Sequence, residues 1–125
     1  MPNANIFITN IENETINNKF YRKVLFTSKY QQLVLMSIKP GQDIDYEIHN
    51  DNDQFIRVEK GCGVLLIGPK KETKFKLFDG VSVTIPAGTW HQIINTCDED
   101  LKLYTIYSPP HHPKNRIDID KPLDH

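Results

Sequence analysis

Apolar and polar residues alternate in short runs from Ile6 to Tyr107, and turn-forming residues interrupt the runs every few positions. In a strand, successive side chains point to opposite faces, so such runs read as half-buried strands. The pattern predicts strands over 6–9, 20–27, 31–39, 44–49, 54–60, 64–68, 74–78, 82–85, 91–96 and 101–107. The breakers include Pro40-Gly41, Gly61-Cys62-Gly63, Asp79-Gly80 and Pro86-Ala87-Gly88. Pro40-Gly41 suits the centre of a type II turn, because proline presets φ and glycine accepts φ > 0. Asp79-Gly80 is a tight hairpin signal. The polar, Asn-rich stretch 12–18 reads as a loop. Short strands at this spacing predict an all-β sandwich or barrel with little or no helix. The run 101–107 is apolar enough on both sides to be partly buried on both faces.

The 125 residues suit one domain. The barrel is expected to occupy residues 1–108. From Pro109 the run Pro-Pro-His-His-Pro cannot continue a strand, so 109–125 reads as an extended tail, solvated or laid across the body or a neighbouring subunit. A hydrophobic fraction of 38% fits many strands with one wet face. The net charge is −1 with both signs scattered, which argues against a nucleic-acid partner. No apolar run approaches the ~20 residues of a bilayer span, so no membrane partner is expected. The N-terminus lacks the basic and apolar regions of a signal peptide, which points to the cytoplasm. There the two cysteines, Cys62 and Cys97, are expected to be free thiols.

Candidate chemistry concentrates in two places. In the run from Asp43 to His49, alternation puts Asp45, Glu47 and His49 on one face and Ile44, Tyr46 and Ile48 on the other. A face of two carboxylates and an imidazole must line a solvated cavity or hold a cation, because unpaired buried charge is costly. In the next strand Gln54, Ile56 and Val58 share a face, so Gln54 points inward if the other two do. The segment from Gly80 to Asn95 reads as two antiparallel strands that present His91 just after a Pro-x-Gly turn. Glu47, His49 and His91 then form a two-imidazole, one-carboxylate set suited to Fe(II), Mn(II), Ni(II) or Zn(II), with open positions for substrate. Gln54 adds a neutral oxygen ligand or holds a bound water.

These residues resemble the cupins, small β-barrels with two spaced motifs. The second motif, Gly-x5-Pro-x-Gly-x2-His-x3-Asn, is filled at every position by Gly80, Pro86, Gly88, His91 and Asn95. The first, Gly-x5-His-x-His-x4-Glu-x6-Gly, reads here as Gly41, Glu47, His49, Gln54 and Gly61. The resemblance implies a double-stranded β-helix, or jelly-roll, barrel with a divalent metal held by Glu47, His49, Gln54 and His91. Two positions depart from the pattern, yet the ligand set keeps one negative charge, with the carboxylate moved from one strand to the next. Flanking stretches such as Asp53–Arg57 and Leu103–Pro113 resemble small single-domain cupins often labelled mannose-6-phosphate isomerase-like. Fold likeness does not establish the reaction.

The other notable residues have plainer readings. Trp90 faces away from His91 by alternation and reads as packing between sheets or at a dimer interface. Asn95 reads as a turn or strand-end hydrogen bonder, and Arg57 as the outward partner of Glu59 or Asp53. His111 and His112 could complete a second metal site, but a solvated tail is the default. No inward residue identifies itself as a general base. Two function classes follow: a metal-dependent isomerase or oxygenase acting on a small molecule, or a binding module without turnover. A homodimer is expected, because the Leu-, Ile- and Tyr-rich strands exceed what one small barrel covers.

Overall fold

The computed structural model describes residues 6–123. In chain order its elements are α1 (Ile11–Asn17), β1 (Arg22–Thr27), β2 (Gln32–Ile38), β3 (Asp43–Glu47), β4 (Asp53–Lys60), β5 (Cys62–Ile67), β6 (Thr73–Phe78), β7 (Ser82–Ile85), β8 (His91–Ile94), β9 (Leu101–Ser108) and β10 (Ile117–Asp118). The strands form two antiparallel sheets, one ordered β10-β1-β2-β9-β4-β7 and the other β3-β8-β5-β6. This is the expected all-β barrel.

The core lies between the sheets. Val34, Met36, Ile38, Ile56, Val58, Leu101 and Leu103 from the larger sheet meet Ile44, Leu65, Leu77 and Ile93 from the smaller. Burying each such side chain stabilises the fold by about 1.5–3 kcal/mol before entropy is counted. The outer face of β2 and β9 is covered too, because α1 lies against β2, β4 and β9. Leu35, on the opposite face from Val34 and Met36, is therefore only 1% exposed. This accounts for the double-sided burial anticipated for 101–107.

Several expectations are corrected. The stretch 12–18 is mostly helix. Asn10 caps it by accepting from the Asn13 N–H at 3.0 Å, and Glu12 and Glu14 sit in the first turn, where the helix dipole favours negative charge. Ile6–Thr9 forms no strand. The edge of β1 that it would need is taken by β10, with Arg22 opposite Asp118 and Lys23 opposite Ile117, while Phe7 stacks on Phe26 at 4.9 Å. Both tight turns around the second motif were expected to make hairpins, and neither does. Gly80 has φ 93°, and the Val81 N–H reaches the Phe78 carbonyl at 3.0 Å, so the turn itself is present. It carries the chain from β6 in one sheet to β7 in the other, and Pro86–Gly88 carries it back to β8. Pairing with β4 and with β3 and β5, respectively, wins over pairing of neighbours. The Pro40-Gly41 turn is as expected, with Gly41 at φ 81° and the Gln42 N–H bonded to the Lys39 carbonyl at 2.9 Å.

The cysteines are not free: Cys62 and Cys97 form a disulfide with Cα atoms 5.8 Å apart. Antiparallel pairing of β5 and β8 sets Val64 opposite Ile94, and this brings the flanking cysteines to the same end of the pair. The tail is laid across the body, with much of its surface still exposed. Beyond β10, Lys121 pairs with Asp43 and with Asp45, the latter at 2.8 Å. Arg22 meets Asp118 at 2.6 Å. Among the described residues, no helix is long and apolar enough to cross a membrane.

Candidate metal centre

Glu47 ends β3, His49 follows two residues later, and His91 opens β8. Strands β3 and β8 are neighbours, with Glu47 directly opposite His91 after a register shift past Ile44. The two motifs are also stitched together through backbone. The Gly88 N–H donates to the His49 carbonyl at 2.8 Å, and the Ala87 N–H donates to the Asp53 carboxylate at 2.9 Å. Gly88 has φ 83°, a conformation glycine adopts without strain.

One potential ligand atom from each of Glu47, His49 and His91 lies within 4.8 Å of the others. His49 Nε2 is 3.0 Å from Glu47 Oε1, and His91 Nε2 is 3.9 Å from the same oxygen. The His91 tautomer follows from its surroundings. Nδ1 lies 2.9 Å from the Thr89 carbonyl, which can only accept, so Nδ1 carries the proton. Nε2 is then a lone pair, buried and without a hydrogen-bond partner. Burial holds the His91 pKa below its ordinary value, and the nearby Glu47 only partly opposes this. Burial pushes the Glu47 carboxyl up, but the hydrogen bond from His49 and the electrostatic pull of that side chain outweigh it, so Glu47 is held below its usual range. A carboxylate, a neutral imidazole lone pair and a second imidazole around one point are the donor set a divalent cation takes.

Gln54 faces inward from β4, as its parity with Ile56 and Val58 predicted, and is 2% exposed. Its amide nitrogen lies 3.0 Å from Thr105 Oγ1 and 3.3 Å from the Tyr107 hydroxyl, while Oε1 is buried without a partner. Gln54, His49 and His91 line one narrow cavity with Asn52, Ile85, Pro86 and Thr89. Strands β3 and β4 belong to opposite sheets. Carrying the carboxylate at Glu47 and an amide at Gln54 therefore moves the charge across the cavity rather than along one sheet. Ile85, Pro86 and Thr89 also border a larger, mostly apolar cleft between β6 and β7.

The remaining residues fall into place around this centre. Trp90 points away and stacks on Tyr46, with ring centroids 4.8 Å apart. Arg57 pairs with Glu59 at 2.9 Å. Asn95, 1% exposed, donates to the carbonyls of Ile38 and Glu99, both at 2.8 Å, and accepts from the Cys97 N–H at 2.9 Å. Asp45 turns to Lys121 rather than to the centre.

The chain after Pro109, for which a solvated tail was the default, instead lies against the centre. His111 stands edge-on to His49, with ring centroids 4.4 Å apart, at the open side of the centre. Two buried amides hold this strap. Gln32 Oε1 accepts from the His111 and His112 N–H groups at 3.1 and 2.8 Å, and Gln32 Nε2 donates to the His112 carbonyl at 2.7 Å. Asn52 Nδ2 donates to the Pro109 carbonyl at 2.6 Å. A buried glutamine at the first position of a β-strand was the available signal, because such a group needs partners.

Comparison with known proteins agrees with this architecture. An uncharacterised protein of Acanthamoeba polyphaga mimivirus is 55% identical over 94% of this chain and 74% of its own length. The Bacillus subtilis protein YrkC, also uncharacterised, is 44% identical over 86% of this chain, which spans only 59% of that relative. A crystal structure of a Bacillus halodurans protein superposes with a TM-score of 0.90 at 44% identity, covering 92% of this chain and 89% of the other. The sequence model of the cupin domain matches residues 34–107, and with the two-sheet barrel and the motif residues around one cavity, the chain belongs to the cupin family.

Proposed function

We propose that this protein binds a divalent cation through Glu47, His49 and His91, with Gln54 Oε1 as a further oxygen donor, and acts on a small-molecule substrate. The observation that supports it most is the pair of buried, unpartnered acceptors, His91 Nε2 and Gln54 Oε1, lining one cavity beside Glu47 and His49. Such atoms cost about 1–3 kcal/mol each if nothing meets them. A bound cation would polarise a carbonyl or hydroxyl oxygen of the substrate, which suits isomerisation or oxygenation. The protein's own contribution is to fix the donors. The Thr89 carbonyl sets the His91 tautomer, and Thr105 and Tyr107 orient the Gln54 amide. The proposal includes a homodimer, since Phe75 and Phe78 on β6 stand more than half exposed on an edge strand.

Plasma mass spectrometry of the untagged protein tests the metal. About one equivalent per chain is expected, and it should be lost in His49→Ala/His91→Ala. Metal that stays substoichiometric and unchanged in that variant would sink the proposal. Metal-loaded protein is then screened for oxygen uptake and sugar-phosphate isomerisation. Retained metal with no turnover across a broad panel would make it a binding module instead. Sedimentation at micromolar concentration reads the oligomeric state, and a monomer mass would refute the dimer.

A further inference from the structure

A second cavity, of about 310 Å³, lies between β1, β3 and the C-terminal strap, and its lining includes Arg22, Asp45, Glu47, His111, His112 and Arg116. This is at the small end of the range for small-molecule sites, roughly 300–1,000 Å³. Glu47 belongs both to this wall and to the metal centre, so the cavity opens onto the proposed cation.

The cations here are arranged unusually. Arg22 comes from β1 and Arg116 from the strap, far apart in sequence, yet both converge on one carboxylate oxygen of Asp118, at 2.6 and 3.1 Å. Two guanidinium groups thus share one counter-charge. The two carboxylates in the wall are otherwise engaged: Asp45 meets Lys121 at 2.8 Å, and Glu47 faces His49 at 3.0 Å. Arg116 donates to Asp118 through Nε, and its Nη groups make no hydrogen bond among the described residues. Arg22 Nε is buried with no partner. Guanidinium groups with donors left over in a cavity wall match an oxyanion, which such a group can grip with two parallel bonds.

We propose that this cavity is the substrate subsite, and that Arg22 and Arg116 select a small molecule bearing a carboxylate or phosphate. The anionic group sits at the arginines, and a carbonyl or hydroxyl oxygen of the same molecule reaches the Glu47 end. The inference rests on the metal reading above for the second half of that contact. The arginine half stands on its own geometry.

Calorimetric titration of the full-length protein with inorganic phosphate and with malonate, each with and without Mn(II), tests it, with metal content measured on every sample. At least one anion should bind to the wild type. Arg116→Gln should weaken that binding about tenfold or more, as expected for losing a charge-assisted contact. Arg22→Lys keeps the charge but loses the planar fork and should also weaken it. Arg57→Gln, whose residue pairs with Glu59 outside this cavity, should not change it. Tighter binding of phosphate than of malonate would identify phosphorylated substrates, and the reverse would identify organic acids. If the protein holds metal but neither anion binds below about 10 mM (−2.7 kcal/mol), or if Arg116→Gln binds as the wild type does, the subsite is overturned and the metal reading survives. If no metal is held but anion binding still depends on Arg116, the metal reading fails and the subsite stands. If there is neither metal nor anion binding, both fall.

Discussion

Replacing Gln32 with leucine should release the strap that walls the metal centre. Gln32 is fully buried and makes three hydrogen bonds to the strap, two from backbone N–H groups at 3.1 and 2.8 Å and one to a carbonyl at 2.7 Å. Leucine nearly keeps the volume, so packing changes little and the polar loss dominates. If the strap stayed in place, three backbone groups would be left without partners, at about 1–3 kcal/mol each. Undocking returns those groups to water, and then only the net value of the bonds is lost, about 0.5–1.5 kcal/mol each. The cheaper route wins, which gives a loss of about 3 kcal/mol. With an unfolding entropy near 2.1 cal/mol/K per residue, this lowers Tm by about 11 °C for a chain of 125 residues. Urea denaturation measures the free energy, and amide hydrogen exchange at His111 and His112 reports the docking directly. Both amides should be protected in the wild type and should exchange at near free-peptide rates in Gln32→Leu. Retained protection together with a stability change under about 0.5 kcal/mol would refute the clamp.

Three further outcomes follow from the same contacts. Burial first, and then the charge of Arg22, push the His112 imidazole down to about 3, so its docked form is the neutral one. The stability it contributes is full above its unfolded value near 6.5 and is lost as pH falls towards 3, by at most about 1.4 kcal/mol per pH unit. The protection factor of the His112 amide, its exchange rate relative to the intrinsic rate at each pH, should fall across that window, and a constant factor down to pH 4 would contradict it. Reducing the Cys62–Cys97 bond, or changing both residues to alanine, opens a loop of 35 residues and should cost about 3–4 kcal/mol by chain entropy. An unchanged denaturation midpoint with and without reductant would refute the bond. Asn95→Ala removes three hydrogen bonds of a buried amide, one buried and two part-buried, that join β2, the end of β8 and the turn before β9, and should destabilise by about 2–4 kcal/mol. A loss below about 1 kcal/mol in urea would show that water replaces the amide.

Much of the centre was legible in the sequence because strand geometry is local. The two-residue period placed Gln54 inside with Ile56 and Val58, turned Trp90 away from His91, and set Arg57 beside Glu59. The spacing of Glu47, His49 and His91 identified three side chains that the fold does bring within 4.8 Å of one another. The turn at Pro40-Gly41 was equally readable, since it depends on two residues and their φ preferences.

Other features depended on partners distant in the chain. The turn chemistry at Asp79-Gly80 is the same for a hairpin and for a corner between sheets, and only the competition of β4 and β5 for β7 and β6 decides which forms. The seven-residue α1 has too few residues to be stable alone and gains its stability from the sheet it covers. The disulfide needs β5 and β8 to be neighbours, which no local pattern announces. The strap reads as a free tail until Gln32 and Asn52, each more than fifty residues earlier, supply its hydrogen bonds. The alternation of side chains by itself determined which residues face the cavity. The tertiary structure alone decided what encloses it, because closure depends on backbone groups finding partners across the whole chain.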